Sequence, residues 1–188
     1  MNEIRDWRRN REMWIRVLET QTGKGVDKWN RRIKKERLDD ERSLRAWLTE
    51  HGVTGYARSL LVMERFGYPD FLLASAGELI DGQYADRPQL RPIFDAVISA
   101  SMGLGEVIIQ ARKTYVSLVS PRRTFARVQA TTRNRVDLGL RLEGQILAGR
   151  LQLSRIHETM RFQISLTAPC DIDSEALDWL QKAYDQNR

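Results

Sequence analysis

The stretch Val136-Asp137-Leu138-Gly139-Leu140-Arg141-Leu142 decides the fold class. Apolar and non-apolar residues alternate through it without a break. Successive strand side chains point to opposite faces, so the pattern predicts a β-strand with Val136, Leu138 and Leu140 inward and Arg135, Asp137, Gly139 and Arg141 outward. Met160, Phe162, Ile164 and Leu166 alternate in the same way. Upstream, Val107-Ile108-Ile109 and residues 114–119 read as strands. Ser120-Pro121-Arg122-Arg123 reads as a turn and 124–129 as the returning hairpin partner. Val136, Leu138, Leu140, Phe162 and Ile164 are expected on one buried face, covered by helices near 89–102 and 174–186. Each such side chain contributes on the order of 1.5–3 kcal/mol on burial.

Away from the strands the spacing is helical. Trp7, Trp14, Val17 and Leu18 predict a helix over 3–20, and Thr22-Gly23-Lys24-Gly25 breaks it. Val26, Trp29 and Ile33 mark a second helix, and Leu44, Trp47 and Leu48 a third. After the stop and cap at 51–55, Tyr56, Leu60 and Met63 mark a fourth. Gly67-Tyr68-Pro69-Asp70 closes this part. A short helix is expected over 71–81. A longer one is expected over Pro88 to Ser101, with Leu90, Ile93, Phe94, Val97 and Ile98 inward; Pro88 suits a first turn, but Pro92 only four residues on moves the start to 89–91. Asp173-Ser174-Glu175 caps a last helix with Leu177, Leu180 and Tyr184 inward. The fold class is therefore α+β: an N-terminal helical bundle followed by an antiparallel sheet packed against helices. The expected divisions are an N-terminal helix extension (1–20), a small helical domain (21–68) and an α+β domain (69–188).

Charge is distributed unevenly over this frame. The whole chain is +6, yet residues 110–161 alone carry eleven Lys or Arg against three Asp or Glu. A basic sheet is a surface for something anionic. Ten of the eleven are Arg, whose planar fork suits phosphate. Arg112, Lys113, Arg122, Arg123, Arg127, Arg133 and Arg135 are the candidate nucleic-acid contacts on the strands, with Arg31, Arg32 and Lys35 on the second helix. Tyr115 and Phe125 could stack a base if outward, and the hairpin register leaves that choice open by one residue. A solvated sheet face also carries Lys and Arg for solubility and edge protection, which is the plain alternative.

Several chemistries are excluded. There is no P-loop, no Gly-x-Ser-x-Gly and no paired-carboxylate signature, and Gly103-Leu104-Gly105 precedes a strand instead of following one. No catalytic residue, cofactor or metal is expected. Cys170 is the single cysteine, so neither an internal disulfide nor a Cys-based zinc cage is available. His51 and His157 are the only histidines and read as capping or hydrogen-bonding groups. The N-terminus has no apolar signal region and no run of about 20 apolar residues exists, so a cytoplasmic protein without membrane contact is expected.

Thr22-Gly23-Lys24-Gly25-Val26-Asp27-Lys28-Trp29 and residues 47–57, from Trp47 to Ala57, resemble a small helical bacterial domain of unknown function. Lys113 to Leu118, Phe125-Ala126-Arg127-Val128, Asp137 to Leu142, His157 and the closing Ala183-Tyr184 resemble a second uncharacterised domain. That domain often follows the first, and elsewhere follows predicted restriction-type nuclease domains. The two cover about residues 20–186. The resemblance implies an α+β C-terminal domain in the company of DNA-handling proteins, and it supplies no catalytic residues.

The expected function is a non-enzymatic nucleic-acid-binding module. The alternative is a small-molecule or protein-interaction module with a pocket between sheet and helix around Lys113, Tyr115, Arg127 and His157. An enzyme acting there on a phosphorylated metabolite is a third reading. The Trp7, Trp14 and Val17 stripe is expected to dock within the chain or to form a homodimer with a second copy.

Overall fold

Helical spacing in the first third is realised as α1 (Arg8–Thr22), α2 (Val26–Glu36), α3 (Glu41–Glu50), α4 (Gly55–Phe66) and the single turn α5 (Asp70–Leu73). The structure is a computed structural model that describes residues 4–5 and 8–188, with side chains from Arg11 onward. The expectation for Trp7 lies outside the described residues. Trp14, Leu18, Trp29, Ile33, Leu44, Leu48, Ala57, Leu60 and Leu61 form one core. Trp14 stacks on Tyr56 with ring centroids 5.6 Å apart, so this part of the stripe docks within its own unit. Tyr56 itself stays exposed. Asp40 caps α3 by accepting from the Ser43 amide at 2.8 Å. Helix α2 ends at Arg37 in the left-handed region, φ 52°.

The chain forms two compact units, residues 6–74 and residues 1–5 with 75–188. The helix expected over 71–81 is instead two pieces. Ser75 interrupts it and opens α6 (Ala76–Tyr84) with a reciprocal cap, its hydroxyl bonding the Glu78 amide while the Glu78 carboxylate accepts from the Ser75 amide. A 3-10 turn (Pro88–Leu90) then leads into α7 (Arg91–Met102).

The N-terminal helix, expected over 3–20, is described from Arg8. Ile4–Arg5 is a short strand, β1, paired in parallel with β2 (Ile108–Ala111). Strands β3 (Val116–Val119), β4 (Thr124–Ala130), β5 (Val136–Leu140), β6 (Gln152–His157) and β7 (Met160–Leu166) complete the sheet in the order β1-β2-β3-β4-β5-β7-β6. From β2 onward every pairing is antiparallel. Helix α8 (Ser174–Asn187) closes the chain, capped by Asp173. The fold is α+β.

Register sorts the residues into two faces. Ala126, Leu140 and Phe162 form one cross-strand row, and Val128, Leu138 and Ile164 the next. These face the apolar core, as the alternation predicts. A bulge between Leu118 and Val119 pairs Ala126 with Leu118 but Thr124 with Val119, leaving Phe125 extra. Phe125 turns inward, fully buried, with its ring edge-on to Tyr184 of α8 at 5.3 Å.

The opposite face holds a second surprise. All five residues of β5 are buried, Asp137 and Gly139 included, where alternation predicts exposure. The β6–β7 hairpin folds over this face: a Cβ on Gly139 would lie 3.2 Å from both the Ile156 Cδ1 and the Met160 Cβ. Strand β6, unread in the sequence, is a mostly exposed edge strand. On α8 the inward phase is Ala176, Leu180, Ala183, Tyr184 and Asn187, and Leu177, expected inward, is exposed.

Candidate anion-binding site

The folded-over hairpin roofs a cavity of about 250 Å³ on the polar face of the sheet. Its floor is Ser117 of β3 and Arg127 of β4, which are cross-strand partners, with Thr124 beside them. Arg112 and Tyr115, flanking the β2–β3 turn, form one wall. Arg141, just beyond β5, and the turn residues His157, Thr159 and Met160 form the other. Only strand and turn residues line it, so the pocket lies under a hairpin and not between sheet and helix. Among the described residues no carboxylate lines it.

Each wall is held from behind. The Gln83 side chain on α6 donates to the Arg112 and Tyr115 carbonyls, at 2.8 and 3.3 Å, and pins the β2–β3 turn. The Arg141 amide donates to the Phe125 carbonyl at 2.8 Å, and the Asn187 amide group donates to the Arg141 carbonyl at 2.8 Å. The two-residue turn of the hairpin is tied by the Thr159 amide donating to His157 Nδ1 at 3.2 Å, with the Thr159 hydroxyl 2.9 Å from the same nitrogen. Nδ1 therefore accepts, and the neutral ring carries its proton on Nε2.

Electrostatics mark Arg127. Its guanidinium carbon lies over Tyr115, 3.4 Å from the ring centroid. Burial holds its pKa below the usual arginine value. Its Nε is buried without a hydrogen-bond partner. Arg141 is also shifted down, first by burial and then by the charge of Arg123. Arg127 and Arg141, partly dried and lining one cavity, favour an anion between them.

A family described as a domain of unknown function (DUF5655) matches residues 80–187. The chain belongs to the DUF5655 family. No curated protein and no solved structure matches the chain. The DUF5655 segment contains every strand from β2 onward and the whole of the cavity lining.

Within the DUF5655 segment the expected site residues separate. Tyr115, Arg127, His157 and Arg112 meet at the cavity. Lys113, expected with them, is exposed in the turn and outside the lining. Arg122 is exposed at the tip of the β3–β4 hairpin. Arg123 faces Glu143 at 4.0 Å. Arg133 is exposed in the β4–β5 loop, whose backbone is held by Arg87 and Gln89. Arg135 is paired with the buried Asp137 at 3.1 Å, which offsets its charge. Phe125 is in the core and cannot stack a base, and the Arg127 guanidinium already lies over Tyr115. In the helical unit Arg31 and Lys35 are exposed, while Arg32 lies over Trp29 and Trp47, 4.7 and 5.4 Å from their centroids. Arg141, Ser117, Thr124 and Thr159 were not among the expected residues. The outward position of Arg141 in the alternating stretch was the available signal.

Among the described residues no group of three or more His, Cys, Asp or Glu is placed to hold a metal ion. No helix among them is long and apolar enough to cross a membrane.

Proposed function

We propose that the DUF5655 segment is a binding module for phosphate-bearing ligands, nucleic acid among them, seated in the arginine cavity on the polar sheet face. One observation carries this reading: Arg112, Arg127 and Arg141 line one concavity with no carboxylate among its described lining residues, and the Arg127 guanidinium lies over Tyr115 with its Nε buried and unpartnered. A partly buried charge without a counter-charge loses solvation, and a bound anion offsets that loss. Three guanidinium forks suit a multiply charged, many-oxygen anion better than a single carboxylate. The Ser117 and Thr124 hydroxyls and the His157 Nε2 side add further hydrogen-bonding groups.

Nucleic acid enters as the polymeric source of phosphate. Exposed Arg122 at a hairpin tip and exposed Arg133 extend the basic surface beyond the cavity. The resemblance to domains found beside restriction-type nucleases points the same way. With Phe125 in the core and Tyr115 covered, contacts would be to phosphate and not to stacked bases.

The test is calorimetric titration with inorganic phosphate, beside anisotropy titrations with DNA and RNA at low and moderate salt. Arg127→Met keeps an apolar stem against Tyr115 and removes the charge. It should weaken phosphate binding at least about tenfold, the equivalent of losing one charge-assisted hydrogen bond. Changing Arg122 and Arg123 together to Ala should reduce the salt dependence of duplex binding by up to about two in log–log slope. Absence of binding to phosphate, DNA and RNA at low salt would overturn the proposal.

A further inference from the structure

The arginine cavity adjoins a second chamber of about 330 Å³, and Arg141 and Thr159 line both. The chemistry changes across that boundary. Glu143 and Glu158 line the second chamber together with Arg123 and Arg161. Its volume lies within the ~300–1,000 Å³ range of small-molecule sites.

A second phosphate suits this chamber poorly, because two carboxylates would face it. Hydroxyl groups suit it well. A carboxylate accepts from a pair of neighbouring hydroxyls, and a guanidinium donates to the oxygens of the same groups. The Glu143 backbone is set firmly enough for such a role. Its amide donates to the Gln186 side chain at 3.0 Å, and its carbonyl accepts from the Gln145 side chain at 2.6 Å. Glu158 sits in the two-residue turn that also carries Thr159 into both chambers. The loose 4.0 Å approach of Arg123 to Glu143 leaves both groups able to turn to a ligand.

We propose that the second chamber holds the sugar of a phosphorylated sugar unit whose phosphate lies among Arg112, Arg127 and Arg141. The ligand class is a sugar phosphate such as a 5′-phosphorylated ribose, free or at the end of a nucleic acid. This rests on the phosphate reading above. Arg141 is the shared group, one edge toward each half of the ligand.

Calorimetric titration of the full chain with inorganic phosphate, pyrophosphate and ribose 5-phosphate tests it. Ribose 5-phosphate should bind at least about tenfold more tightly than inorganic phosphate, since at least one charge-assisted hydrogen bond is added. The double change Glu143→Gln and Glu158→Gln, both on exposed side chains, should abolish that preference and leave phosphate affinity equal or higher. A 5′-phosphorylated oligonucleotide matching ribose 5-phosphate, with its 5′-hydroxyl twin failing, assigns the sugar to a nucleic-acid end. Weaker binding of the oligonucleotide assigns it to a free sugar phosphate. Equal affinity for phosphate and ribose 5-phosphate, tighter binding of pyrophosphate, or a preference that survives the double change overturns this inference alone. Binding of none of the three probes overturns the phosphate reading with it.

Discussion

Gly139→Ala should weaken phosphate binding far more than it weakens the fold. A methyl group there would sit 3.2 Å from the Met160 Cβ and the Ile156 Cδ1, and 3.4 Å from the Met160 Cγ. Carbon atoms at rest lie about 3.5–4.0 Å apart, so the hairpin must retreat by a few tenths of an ångström. The Ile156 methyl is the end of a flexible side chain and can swing aside. The Met160 Cβ is fixed to a paired strand and can move only with its backbone. Overpacking of this kind costs about 1–3 kcal/mol, and the small overlap places Gly139→Ala near the lower end. Stiffening of the unfolded chain returns about 0.4–1 kcal/mol. The net loss should therefore be about 1 kcal/mol or less, a few degrees in melting temperature. The displaced strand pair carries His157 and Thr159, so the roof lifts away from Arg127 and Arg141. Scanning calorimetry beside a phosphate titration reads both effects, with Arg127→Met as the reference for lost binding. A several-fold loss of affinity with a nearly unchanged melting temperature is expected. Unchanged affinity in Gly139→Ala, with Arg127→Met still defective, would refute the claim that hairpin approach shapes the site.

Phe125→Ala empties a fully buried site beside Tyr184, and should cost about 3–5 kcal/mol in chemical unfolding; a loss under about 1 kcal/mol would contradict the bulge that turns Phe125 inward. Acid should loosen the α8 end of the sheet unit. The Arg150 amide donates to the Glu175 carboxylate at 2.7 Å and its Nε at 3.2 Å, and these bonds, the backbone one foremost, hold the Glu175 pKa below the usual carboxylate value. Asp171 is lowered likewise, chiefly by the Thr167 amide. A lowered folded-state pKa gives stability that is complete above the unfolded value, about 4.3 for Glu, and lost as pH falls through the folded one. Urea midpoints should therefore fall between about pH 5 and pH 3, and Glu175→Gln should flatten that fall; an equal slope in the variant would count against the Arg150 anchor.

Much of the architecture was readable because it rests on local periodicity. Val136, Leu138 and Leu140 occupy the predicted face, and among the described residues the predicted helix positions are buried or partly buried apart from Tyr56 and Leu177. Around Leu177, Ala176 and Ala183 fill the inward phase, and small residues carry little apolar signal. What escaped reading depended on contacts between distant segments. Gly139 is buried because a hairpin some twenty residues later folds over it, and Asp137 sits among Thr131, Arg135 and Ser165. Strand β6 escaped because an edge strand with one exposed face needs no apolar alternation. Phe125 was ambiguous by one residue, and a single bulge decided it. The pocket group Tyr115, Arg127 and His157 was legible as a set, whereas the choice of Arg141 over Lys113 required knowing which turn residues look into the cavity.

The pairing of β1 with β2 has a consequence for synthesis on the ribosome. Ile4 is made before the helical unit, and its partner Ile109 follows only after the whole of that unit. At roughly 5–20 residues per second, the first strand waits on the order of ten seconds. During that interval the helical unit can complete its own core, because it needs nothing from later sequence. The first strand of the sheet unit therefore stays unpaired while an entire folding unit is made between it and its partner.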